Sequence, residues 1–157
     1  MLQDWIPLIR TDFDAPEPWA QFLRVINPED DILAARVNLI EDQDLSEAPL
    51  EAVLAAVSTS LTERPEVMFV VDSETLSSVD FPVLIVDLSN LLENPFRSAA
   101  AVLYEISSNV LVGNMSVAEF RDKSHNWPDG IYRGFPNRLT NTEQEAILRN
   151  IFGTLPD

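Results

Sequence analysis

Residues 69 to 88 read FVVDSETLSSVDFPVLIVDL. Two apolar runs stand here with no polar residue inside either, and each ends on an aspartate, Asp72 and Asp87. No other feature constrains the fold as strongly. A strand with one wet face alternates apolar and polar residues, whereas an unbroken run suits a strand buried on both faces, in a sheet that helices cover on each side.

The flanking segments extend the pattern. PLIRTDF (7–13) is a short apolar run and the expected first strand. In PEPWAQFLRVI, Trp19, Phe22, Leu23 and Ile26 recur at i, i+3, i+4 and i+7, one face of a helix. Asp14 with Glu17 three residues on has the form of a helix cap, and Asn27-Pro28 closes the helix. ILAARVNLI (32–40) is the expected second strand. Pro49 opens a second helix with Leu50, Val53, Leu54, Val57 and Leu61 on one face, and Pro65 precedes strands three and four. Strands alternating with helices define the α/β class. The expectation is one α/β domain over residues 1–157, with a mostly parallel central sheet of roughly four or five strands flanked by helices. Residues 73–82 are barely long enough for a parallel crossover, which takes about a dozen residues or more, so strand four is open to running antiparallel.

The C-terminal half reads as more helical. Ala99, Val102, Leu103, Ile106 and Val110 share a helical face. Ser116 and Glu119 have the spacing of a capping box for a short helix through Phe120, and IYRGF (131–135) is a candidate short strand. Thr142 and Glu145 form a second such box, so residues 136–157 read as a helical extension packed on the domain.

Several chemistries find no residues. There is no Cys, hence no disulfide, thiol nucleophile or Cys-ligated metal. Four glycines form no phosphate-binding loop, and the single His125 has no serine elbow to serve. No catalytic residue, metal site or cofactor is assigned. The N-terminus lacks a basic segment followed by a long apolar one, and no apolar run approaches the ~20 residues that span a bilayer. A cytoplasmic protein is expected.

Charge is the largest departure from the ordinary. Twenty-six acidic residues face ten basic ones, a formal net charge of −16, against a magnitude of about 2–8 for a typical small domain. Such a field repels phosphate backbones and anionic membranes, so neither nucleic acid nor membrane is an expected partner. A basic protein is. Part of the excess could be compositional, since nine of the ten basic residues are Arg. The acids concentrate, however. Glu29, Asp30 and Asp31 precede the second strand, and Glu41, Asp42 and Asp44 follow it. They read either as solvated loops or as one acidic face that docks a basic partner.

The strand-end aspartates pose the second question. In a parallel sheet, strand ends gather along one edge and ligands bind there. Asp12, Asp72 and Asp87 could share that crevice, binding a divalent cation or a small ligand. Alternatively, Asp at a strand end caps the following turn, as Asp72 before Ser-Glu-Thr would.

The chain resembles a family of small bacterial domains of unknown function over about residues 6–135. The resemblance rests on LIRTDF (8–13) with Trp19, FVVDSETL (69–76), FPVLIVDL (81–88), FR (96–97), SSNVLVGNM (107–115) with EF (119–120), and DGIYRGF (129–135). It implies a shared fold and points at Arg10, Asp12, Trp19, Asp72, Asp87, Arg97, Asn109, Asn114, Phe120, Arg133, Gly134 and Phe135. It implies no activity. Read physically, Arg10 inside an apolar strand needs a carboxylate partner, and Asp12, Asp72 and Asp87 are the expected ones. Arg97 and Arg133 are candidates for bidentate carboxylate pairs, and Asn109 and Asn114 can tie loop backbone through their amides. The expected function is an acidic protein-binding domain, of the kind an immunity protein uses against a basic toxin. The alternatives are a small-ligand or Mg²⁺-dependent enzyme at the strand ends, or a mimic of nucleic-acid charge. Oligomeric state is not legible.

Overall fold

In the computed structural model, which describes residues 5–60, 65–134 and 149, the chain forms one six-stranded sheet flanked by helices. The strands are β1 (Ile6–Arg10), β2 (Val37–Ile40), β3 (Val67–Val71), β4 (Val83–Asp87), β5 (Phe96–Ser98) and β6 (Ile131–Tyr132). The helices are α1 (Pro16–Ile26), α2 (Leu50–Ser60), α3 (Ser73–Ser77), α4 (Leu103–Leu111) and α5 (Val117–Ser124). The α/β class and the flanked central sheet are as expected. The extension expected over 136–157 lies outside the described residues.

The spatial order is β2-β1-β3-β4-β5-β6. β1 runs parallel to β2 and β3, β4 is antiparallel to both neighbours, and β5 is parallel to β6. One strand therefore runs against the other five. The segment from 73 to 82 is too short to carry the chain back across the sheet, and its only helix is the five-residue α3. The chain turns at Phe81, a non-glycine residue at φ 51°, and descends as β4.

Period-2 alternation divides the strands between two cores. Leu8, Phe69, Val71, Val83 and Ile85 face one side, against Trp19, Phe22 and Ile26 of α1, Leu103, Ile106 and Val110 of α4, and Phe120 of α5. Ile9, Met68, Val70 and Val86 face the other, against Val53 and Val57 of α2. Complete burial of Phe22, Leu8 or Ile9 contributes about 1.5–3 kcal/mol each. The Trp19 and Phe22 rings stack at 5.5 Å, and Phe120 meets Tyr132 edge-on at 5.3 Å.

Two local expectations need correction. Residues 32–36 are not strand. The Asp30 carboxylate accepts the Ile32 N–H and starts a 3₁₀ turn over Asp31–Leu33, which leaves Ile32 77% exposed. Asp14 does not cap α1. Its own N–H is taken by the Asp12 carboxylate, and Ala15 occupies the cap position without a side-chain bond. β5 and α3 are further elements that periodicity did not mark. The Ser116/Glu119 capping box is formed at both of its bonds and starts an α5 that runs to Ser124.

Candidate functional site

Because β1, β2, β3, β5 and β6 share one direction, their carboxyl ends gather along one edge of the sheet. Asp12 and Asp72 follow β1 and β3 there. Between them lies a cleft of about 480 Å³ lined by Thr11, Asp12, Asp14, Glu47, Ala48, Asp72 and Ser73. The turn after β2 closes its flank. The Asp42 carboxylate accepts the Asp44 N–H and starts a 3₁₀ turn. The chain then reaches Glu47, whose N–H donates to the Thr11 carbonyl at 2.7 Å. Glu47 sits at φ 57°, a left-handed conformation that costs a residue with a Cβ about 1 kcal/mol or more.

The positive charges at this edge are held inside by carboxylates. Arg10 is sandwiched between Phe13 and Trp19, with its guanidinium carbon 4.6 and 4.5 Å from the two ring centres. It donates to the Asp12 carbonyl and pairs with Glu41 at 3.1 Å. Arg97, projecting from β5, grips Asp72 with both arms and also meets Glu74 at 2.8 Å. One oxygen of Asp72 additionally accepts the Thr75 N–H and hydroxyl, so the same carboxylate caps α3. Burial disfavours the charged form of Asp72, but the Arg97 bonds, the Thr75 N–H and the Arg97 charge outweigh it and hold its pKa below the ordinary value. Just past β6, Arg133 pairs with Asp80 and, bidentately, with Asp129. Burial opposes ionisation of Asp129 too, and the Arg133 bonds and the Ile131 N–H overcome it, lowering its pKa. Burial likewise opposes the charge on Arg133, and its two aspartates raise its pKa in spite of it.

Asp87 does not belong to this edge. β4 descends, so Asp87 finishes at the opposite side of the sheet. There it pairs with Arg121 of α5 at 3.4 Å and accepts the Ser89 N–H and hydroxyl. Asn109 and Asn114 also stand apart from the cleft. The Asn109 amide donates to the Glu105 carbonyl, and the Asn114 amide donates to Asn109, fastening the turn from α4 to α5. The sheet edge thus brings together Arg10, Asp12, Asp72 and Arg97, with Arg133 at its far end. Arg121 and Asp80 were not anticipated. The Asp129–Arg133 pair was legible in principle, because DGIYR places the two four residues apart.

Outside these pairs the edge remains acidic. Asp14, Asp42, Asp44 and Glu47 are exposed and belong to none of these ion pairs, and Glu41, the partner of Arg10, is exposed as well. Glu29, Asp30 and Asp31 are exposed at the other end of β2. β2 is the outer strand of the sheet, so the two acidic groups stand at its opposite ends, not on one continuous patch. Among the described residues no group of three or more His, Asp or Glu side chains is placed to hold a metal ion. Nor, among them, is any helix long and apolar enough to cross a membrane.

Fold and edge together define an α/β domain in which Arg10, Arg97, Arg121 and Arg133 are held inside by carboxylates, while Asp14, Asp42, Asp44 and Glu47 extend outward. The chain belongs to the family described as Domain of unknown function (DUF6924), whose profile matches residues 6–135. No curated protein and no solved structure matches it.

Proposed function

We propose that this domain binds a basic protein through the acidic edge formed by Glu41, Asp42, Asp44, Glu47 and Asp14, acting in the cytoplasm as an immunity-type inhibitor of a basic toxin. The observation that carries the reading is the disposition of charge. Arg97 and Arg133 are held by Asp72, Asp80 and Asp129, and Arg10 takes only Glu41 from the outer acids, so none of the three neutralises Asp14, Asp42, Asp44 or Glu47. The field beyond the edge is negative and steers a cationic surface toward it. Such steering raises association rates and weakens as salt is added.

The cleft supports a second reading. Asp12, Asp14, Glu47 and Asp72 converge on about 480 Å³, room for a small organic cation, and the absence of a metal-holding group among the described residues favours an amine or guanidinium over Mg²⁺.

Affinity capture at low salt from source-cell lysate, followed by salt elution, tests the choice. One basic protein released by salt supports the first reading. No protein partner, together with a rise in Tm on adding a polyamine, supports the second. Capture of acidic proteins by contacts that resist salt contradicts both.

A further inference from the structure

The outer edge of β2 offers a row of backbone groups that no described strand uses. Ile6 donates to the Arg36 carbonyl, and Ile6 and Leu8 lie opposite Val37 and Leu39. Backbone groups alternate sides along a strand, so Asn38 turns its N–H and C=O toward β1, whereas Val37 and Leu39 turn theirs outward. Beside this edge, on the face covered by α1, lies a groove of about 300 Å³ lined by Trp5, Leu23, Ile26, Ala35, Val37 and Leu39. Leu39 is 44% exposed. An additional strand here would pair with Val37 and Leu39 and place every second side chain in that groove.

Charge specifies the occupant. β2 is four residues long, about 13 Å, with Glu29, Asp30 and Asp31 exposed at one end and Glu41, Asp42 and Asp44 at the other. A second copy of this chain would bring the same acids against them. We propose that the basic partner docks by adding an extended strand to β2, apolar at alternate central positions and carrying Lys or Arg at both ends. The inference rests on the acidic-docking reading and adds its geometry. Backbone pairing supplies affinity and the flanking charges supply register, as in other cases of strand addition.

The probe is a labelled peptide of about ten residues, alternating valine and threonine with paired lysines at each end, followed by fluorescence anisotropy on the full chain. Leu39→Pro removes an outward N–H, the position where an edge strand tolerates proline. The expected result is binding to the wild type, weakened about tenfold or more by Leu39→Pro and, equally, by N-methylating the peptide at alternate residues. The methylated peptide needs no variant to fold. If both peptides bind alike yet lose affinity to Glu41→Lys/Asp42→Lys/Asp44→Lys, strand addition is overturned and acidic docking stands. If the charge-reversed protein binds like the wild type, acidic docking itself fails. If the wild type binds neither peptide, or instead dimerises in sedimentation and Leu39→Pro abolishes the dimer, the proposed occupant is wrong.

Discussion

Arg97 and Asp72 meet through two parallel bonds, Nη1 to Oδ1 at 3.0 Å and Nη2 to Oδ2 at 2.8 Å, across β3, β4 and β5. Their Cα atoms are 25 positions apart in sequence, yet the pair fastens the end of one strand to the middle of another two strands away. The same Asp72 oxygen caps α3. One carboxylate thus performs both tasks, and its substitutions separate them. Asp72→Asn keeps an acceptor for the Thr75 N–H and loses the charge, whereas Asp72→Ala loses both. Urea unfolding should show Asp72→Ala less stable than Asp72→Asn by about 1 kcal/mol, the usual worth of a helix cap.

Acid should expose the same pairs. Asp72 and Asp129 both have lowered pKa values, so the folded state binds protons less readily than the unfolded chain. Their contribution is fully present above the unfolded value of about 4 and is lost as pH falls through the lower folded values. Thermal unfolding followed from pH 6 downward, at roughly half-unit steps, should show stability declining below about pH 4. Asp72→Asn should flatten that decline.

The opposite edge provides a control. Asp87 and Arg121 are almost wholly buried, with side-chain exposures of 5% and 10%. Replacing Arg121 with Ala leaves Asp87 with Ser89 alone among these partners and should cost about 3 kcal/mol. Because this pair lies across the sheet from the acidic edge, Arg121→Ala protein that remains folded should bind a basic partner with unchanged affinity. A Kd shift would tie that edge to the interface.

Glu47 is held at φ 57°, where glycine has no Cβ to strain. Glu47→Gly should be neutral or stabilising by up to about 1 kcal/mol, and Glu47→Val destabilising by more than that. Chemical denaturation reads both, and weakened partner binding in Glu47→Gly would separate the role of the charge from that of the backbone.

Much of this fold was legible because burial writes itself into sequence as period. The unbroken runs of β3 and β4 and the helical spacing of Trp19, Phe22 and Ile26 all led to buried surfaces. What escaped was set by local bonds or by long-range pairing. The Asp30 carboxylate turned Ile32 and Leu33 out of the expected second strand. β5 is three residues with an arginine at its centre, too short for any period. The shortness of residues 73–82 already left the direction of β4 open, and that direction moved Asp87 away from Asp12 and Asp72. Arginine's need for carboxylates was legible at Arg10 and Arg97, but which carboxylate each would find was not. Arg10 found the Asp12 carbonyl and Glu41 in place of an aspartate side chain.

The most direct measurement compares the affinity of the wild type and of Glu41→Lys/Asp42→Lys/Asp44→Lys for the captured basic protein at two salt concentrations. The account predicts that charge reversal weakens binding at least about a hundredfold at low salt, and that the gap narrows as salt rises. Equal affinity for the two proteins at low salt would contradict it.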